Sequence, residues 1–288
     1  MKKIITKLLP ILDILFMVLL FPSARVMKCV RAIGLKNLPR CKETLIRAGV
    51  FPIRNHYYEP QFEFRGINPP FCRDRFLPGV DLNVNRQLYL LAKLNFSNEL
   101  AKIPPWRGNE LEFYMNNGSF EAGDAEYWYN LIRLTKPSKI LEIGSGNSTL
   151  MAVNAIRANQ REDSGYQCKH VCIEPYEMPW LEKANVLLIR QKVEELAVPF
   201  FSELGNNDIL FIDSSHMIRP QGDVLFEFLE VLPTLKKGVI IHVHDIFSPK
   251  NYPKEWLVDD VRFWNENTCS KRSCATIGIG KSLERSIT

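Results

Sequence analysis

No two of the seven cysteines, at 29, 41, 72, 168, 172, 269 and 274, stand in the C-x2-C spacing of a zinc site. Their odd number argues against a closed disulfide framework. Cys168-x3-Cys172 falls where a buried strand is expected, so reduced thiols in a cytosolic compartment are the expectation. A clean apolar run of about 20 residues is also missing. The run from Ile4 to Phe21 is interrupted by Lys7, Pro10 and Asp13, leaving Ile14–Phe21 as its unbroken part. No small-x-small cleavage site follows it, which argues against a signal peptide. Nor is there a strong charge of one sign. Thirty-seven Lys and Arg against 32 Asp and Glu give +5, with much of the excess in residues 1–48. Basic and aromatic residues do not alternate, so nucleic acid is not an expected partner.

What is present centres on Lys139–Met151, Lys-Ile-Leu-Glu-Ile-Gly-Ser-Gly-Asn-Ser-Thr-Leu-Met. Ile140–Ile143 reads as a short buried strand with one acid, Glu142, set into it. Gly144, Ser145 and Gly146 make a turn tight enough to bring backbone N–H groups against a ligand. Asn147 or Ser148 is placed to cap the helix that follows. Strand, glycine turn and helix start form a nucleotide-cofactor cradle. A dinucleotide fingerprint needs a third glycine, and that position is Thr149. Glu142 would also repel a pyrophosphate. It suits a cationic ligand, which disfavours a nicotinamide-dependent oxidoreductase.

Glu142-x-Gly144-x-Gly146 resembles the first motif of the class I S-adenosylmethionine (SAM)-dependent methyltransferases, E-x-G-x-G. The donor carries an ammonium and a sulfonium and no phosphate. Later strands carry matching acids. His170–Pro175 reads as strand two, with Glu174 at its carboxyl end to receive both ribose hydroxyls. Pro175 follows it, and Tyr176 is placed to stack on adenine. Asn185–Arg190 reads as strand three, after which the resemblance implies an adenine contact from Glu194. Asp208–Asp213 reads as strand four and Lys237–Asp245 as strand five, each a run buried on both faces and ended by an acid. Strand-helix alternation five times over predicts an α/β, doubly wound, mostly parallel sheet with right-handed crossovers.

Ligands of such a sheet bind beyond the carboxyl ends of the strands. Glu142, Gly144, Ser145, Gly146, Asn147, Ser148, Glu174, Pro175, Glu194 and Asp213 are the expected cofactor residues. Asp213, His216, His244 and Asp245 would face the acceptor. His216 is the first choice of base because imidazole titrates near neutral pH, and His244 the second. His242 lies deeper along the strand and reads as structural. Asp213 and Asp245 end neighbouring strands, and two close carboxylates repel unless a cation or proton lies between them. Metal-dependent O-methyltransferases hold Mg²⁺ there, which makes Asp213 and Asp245 the candidate metal ligands with His216 or water completing the shell. Those enzymes commonly place an acid or amide next, where this chain has Ile246.

Phe211–His216, Gly222-Asp223, His242–Phe247, Tyr252-Pro253 and Trp256 are similar to a bacterial subgroup, the sugar-modifying O-methyltransferases. The resemblance covers roughly 50–266 and is specific in 140–256. It implies O-methylation of a saccharide or another polyhydroxylated small molecule.

Four segments are expected. Residues 1–31 are apolar with basic flanks and suit an interfacial helix, an ordinary helix packed on the catalytic domain or a partner, or a span, so the protein is read as cytoplasmic with a peripheral membrane contact open. Residues 32–123 form a proline-rich extension. Within it Arg54–Pro60 has a pocket-like composition, and Asn85–Leu100 reads as an amphipathic helix carrying Leu88, Leu91 and Leu94. Residues 124–266 form the SAM-binding domain. It opens on a helix capped by Asp124, with Glu126 or Tyr127 near the cofactor, and holds a long helix with Val224, Phe228, Leu229 and Leu232 inward. A helix over Val258–Glu266 closes it. Residues 267–288 are polar, with one strand-like piece at Ala275–Ile279 in place of the usual last two strands. An impaired SAM-binding protein with a truncated fold is therefore the alternative. The sequence does not fix the oligomeric state.

Overall fold

The computed structural model describes residues 2–54, 59–60, 73–77 and 80–267. The expected pocket residues 55–58, three of the cysteines (72, 269 and 274) and the tail from 268 on lie outside the described residues. The chain divides into two units, Met1–Pro70 and Phe71–Thr288. Residues 71–123 thus group with the segment from 124 onward rather than with an extension ending at 123. The reason is packing: Phe113 and Phe120 are buried in the same cluster as Trp128 and Ile140.

The first unit holds helix α1 (Lys2–Ile33) and helix α2 (Pro39–Ala48). Pro39 starts α2, where its missing N–H costs nothing, and Gly49 ends it at φ 68°. Arg31 makes a two-pronged bond to Glu59, both arms 2.9 Å.

In the second unit, α3 (Val84–Lys93) and α4 (Ser97–Leu100) replace the single helix expected over Asn85–Leu100. Leu94 adopts an extended conformation between them. Leu88 and Leu91 are exposed and Leu90 is buried, because a spacing of three drifts around a helix of 3.6 residues per turn. Then come α5 (Asp124–Thr135), β1 (Lys139–Ile143), α6 (Asn147–Glu162), β2 (Lys169–Ile173), β3 (Leu187–Ile189) and β4 (Ile209–Ile212). Helix α7 (Asp223–Phe226) and β5 (Ile240–Val243) complete the order. Asp124 does not cap α5. Gly123 does, and Glu126 accepts its N–H at 2.8 Å.

The five strands form one parallel sheet in the order β3-β2-β1-β4-β5, flanked by helices, the Rossmann-like arrangement. Side chains alternate across it. Ile140, Ile209 and Phe211 pack under α5 and α6. Leu141, Ile143, Val171, Ile173, Leu210 and Ile212 pack on the other face with Phe201, Val224 and Phe228. Arg133 ties three helices together. It bonds Glu99 of α4 with two arms of 2.9 Å, Glu162 of α6 at 3.0 Å, and the Asn159 side chain.

Two expected helices differ. α7 widens into a π-type stretch at Glu227–Val231 and tightens again at Leu232–Thr234. The wide turn shifts the helical phase, so Leu229, expected inward, is 62% exposed. Val258–Glu266 is not one helix: a wide turn covers Glu255–Asp259, and an irregular segment follows it up to Asn265. Beyond β5 no further strand occurs among the described residues.

Phe201 is fully buried away from the strand ends. Phe201→Ala is expected to cost about 3–5 kcal/mol, read from urea unfolding curves.

Candidate active site

The sheet register levels the strand ends. Ile143 pairs with Ile173 and with Ile212, and Ile212 with Val243. The next residues, Gly144, Glu174, Asp213 and His244, therefore emerge side by side at one edge. Gly144 has φ 76°, and a Cβ there would stand 1.8 Å from the Asp213 carbonyl oxygen. Only glycine allows this turn. Gly146 caps α6, and neither Asn147 nor Ser148 does so. Asn147 instead donates to Asn117 at 3.0 Å and to Ser119 at 2.8 Å.

Gly144, Glu174, Pro175, Tyr176, Glu194 and Asp213 are among the residues lining a hollow of about 580 Å³. One Glu174 oxygen accepts the Ser145 N–H at 3.3 Å, and the other accepts the N–H groups of Tyr176 and Glu177 at 2.9 Å each. Glu174 thus joins the glycine turn to the loop after β2. Tyr176 stands largely exposed at the hollow.

Glu142 does not reach this hollow. It is fully buried and paired in register with Cys172 and Phe211, one pleat behind the edge. One oxygen accepts Ser148 Oγ at 2.6 Å and Thr149 Oγ1 at 3.0 Å, and the other meets His170 Nε2 at 2.7 Å. The acid expected to hold the ammonium of a cofactor instead pins the start of α6 to β1 and β2. Ser148 is occupied in the same way, from the protein side. Burial opposes charge on His170, but Cys172 and Glu142 beside it push its pKa up, to about 10. Cys172 is itself raised, chiefly by burial.

The other half of the edge is a knot of acids and imidazoles. His216 Nε2 lies 3.3 Å from Asp213 and 3.8 Å from Asp245, while its Nδ1 meets Glu266 at 2.7 Å. His244 Nδ1 lies 3.3 Å from Asp213 and 3.5 Å from Asp245, and its Nε2 lies 3.4 Å from Asp124. Burial works against charge on both rings, but the acids prevail, raising His216 to about 9 and His244 to about 12. Asp213 is drawn down to about 2: burial opposes this, and bonds to both imidazoles outweigh it. The imidazoles thus supply the positive charge that two neighbouring carboxylates require. Three carboxylates thus face the His244 ring and favour its protonated form. His242 is half-buried among Tyr127, Trp128 and Phe211, and desolvation there lowers it to about 4, so it stays neutral.

His216 and Asp245 both have positive φ, 57° and 55°. Side-chain-bearing residues seldom adopt this, at a cost on the order of 1 kcal/mol each, and such outliers concentrate at functional sites. Asp213, His216 and Asp245 offer ligand atoms within 4.8 Å of one another, a spacing that also suits a metal ion.

Several neighbours escaped the sequence reading. Glu266 is fully buried under His216, and Glu227 lies buried behind Ser214, whose hydroxyl it accepts at 2.9 Å. Burial, with Glu266 and Asp223 nearby, raises Glu227 well above the usual carboxylate range. Glu227 did leave a signal, an acid on the buried helical face between Val224 and Val231. Glu266 and Asp124 left none, because their neighbours lie 50 and 120 residues away.

Residues 141–246 match the family described as "Methyltransferase domain". An uncharacterised protein of Archaeoglobus fulgidus is 32% identical over 143 residues, which are 47% of this chain and 63% of that protein. The chain thus spans less than two thirds of that relative's length. No solved structure matches.

Removing Glu142 leaves a buried imidazolium alone. Glu142→Ala is expected to lose about 3–5 kcal/mol of stability. His170 is raised on folding from 6.5 to about 10. The pair therefore stabilises fully below 6.5 and fades as pH rises through 10. Denaturant unfolding from pH 6 to 10 should show this loss in the wild type and a flatter profile in Glu142→Ala.

Proposed function

We propose that the protein is a SAM-dependent methyltransferase acting on a hydroxyl of a saccharide or another polyhydroxylated small molecule, with His216 as base. The observation that carries this reading is the register that sets Gly144, Glu174 and Asp213 around one hollow, with His216 three residues beyond Asp213 in the loop after β4. The residues fit the cofactor. The hollow has a volume usual for a small-molecule site, the glycine turn offers backbone N–H groups, and an acid ends β2. SAM supplies an electrophilic methyl group on a sulfonium. Glu174 would accept its ribose hydroxyls, Tyr176 and Glu194 would border its adenine, and Asp213 would face its charged end.

For an alcohol acceptor, a proton must leave the hydroxyl as the oxygen attacks. His216 Nε2 is the site for that proton. Glu266 fixes the ring through Nδ1, and Trp264, with ring centroids 4.3 Å apart, holds its plane. His244 balances Asp213 and Asp245, so the acids remain at the edge without repelling one another. The triangle of Asp213, His216 and Asp245 favours one second reading, in which a divalent cation there activates the acceptor oxygen. A chain that binds the cofactor without turnover remains the alternative of another class.

Two measurements test this. Calorimetry with S-adenosylhomocysteine should show binding that Glu174→Ala weakens at least about tenfold, the loss of one charged hydrogen-bonding group. No binding to the wild type sinks the cofactor reading. Methyl transfer from labelled SAM to a saccharide panel should be base-limited, because His216 is raised to about 9. The rate should climb about tenfold per pH unit up to that value, and His216→Gln should lower it about 10²–10⁴-fold and flatten the profile. A rate abolished by chelation and restored by Mg²⁺ selects the second reading, and cofactor binding with no transfer to any acceptor selects the third.

A further inference from the structure

The apolar helix α1 is not absorbed by the methyl-transfer reading. Every large apolar side chain from Leu9 to Phe21 is between 37% and 65% exposed. Ile14–Phe21 is eight consecutive apolar residues, two full helical turns, so its greasy surface runs around the whole circumference. A helix lying on a bilayer needs a polar face, and a helix packed on protein needs a buried stripe. This stretch has neither among the described residues.

We propose that α1 crosses a lipid bilayer and that the residues after it stand on the cytoplasmic side. Ile4–Ala24 is 21 residues, about 31 Å as a helix, against a hydrocarbon core of about 30 Å. The run from Ile4 to Phe21 holds thirteen Leu, Ile, Phe and Val, which together outweigh the one acid, Asp13. Within Leu9–Ile33 a stretch of 18 residues reaches a mean hydropathy of 1.9.

Charge sets the direction. Arg25, Lys28, Arg31, Lys36, Arg40 and Lys42 follow the apolar stretch, and only Lys2 and Lys3 precede it. An excess of Lys and Arg marks the cytoplasmic flank and complements the anionic headgroups there. Arg25 lies over the Phe21 ring at 4.8 Å, at the junction of the apolar and basic parts. The orientation places the second unit where SAM is made, and only that remark rests on the proposed function. The anchoring does not.

The full chain is expressed in a bacterial host, and the membrane fraction is washed with alkaline carbonate and then detergent. The intact 33.3-kDa chain should stay with the membrane through carbonate and leave only in detergent. Release by carbonate means a peripheral or protein-held helix and overturns the proposal, as does a soluble chain shortened from its amino-terminal side. Leu15→Lys with Leu19→Lys puts two charges mid-span. It should lower membrane-retained chain at least about tenfold while the thermal transition of the remainder stays unchanged. Unchanged retention overturns the span. In sealed inverted vesicles, added protease should digest the region beyond residue 33, and protection of that region overturns the orientation.

Discussion

The site depends on how closely the ends of β1 and β4 approach. Gly144 turns against the Asp213 carbonyl at a distance no side chain permits. The Asp213 N–H bonds the Ile143 carbonyl at 2.8 Å, and the Gly144 N–H bonds the Ile173 carbonyl at 3.0 Å. Backbone pairing therefore continues one residue past each strand and holds the glycine loop, the β2 acid and the β4 acid level. Behind this edge, Glu142 and His170 occupy the sheet interior as a charged pair and grip the first turn of α6. Such a pair contributes little net stability over apolar residues, but breaking it is costly. Its effect here is to place the helix start relative to two strands at once.

Electrostatics divides the edge into two halves. On the β2 side, Glu174 accepts three backbone N–H groups. On the β5 side, acids gather around two imidazoles, and the shared protons determine which groups can act. His244 is surrounded by three carboxylates and keeps its proton. His216 is held less tightly and can exchange one near pH 9. The same residue type thus meets two settings, which the order of residues along the chain does not reveal.

The two units carry different demands. The second buries its apolar surface in two clusters on either side of the sheet. The first leaves α1 unburied, and a helix apolar all round finds a favourable environment only in a protein core or in lipid.

Much of this was legible in the order of residues. Apolar runs, three of them ended by acids, marked the five parallel strands, and Gly144-x-Gly146 marked the turn, because backbone conformation and burial leave local signatures. Helix bounds in residues 84–100 and 223–234 were less legible, since tertiary packing selected Leu90 over Leu88 and a π-type turn turned Leu229 outward. Glu142 was legible as an unusual acid but not in its role. The turn of α6 that takes its oxygens is local, yet the decisive partner, His170, reaches it only across the sheet. Glu266 and Asp124 could be found only in the folded chain, because a carboxylate's partner is set by proximity in space and leaves no period or spacing in sequence. Sequence by itself determined the strands, the glycine turn and which side chains could titrate. Tertiary structure alone decided which of those side chains share a proton.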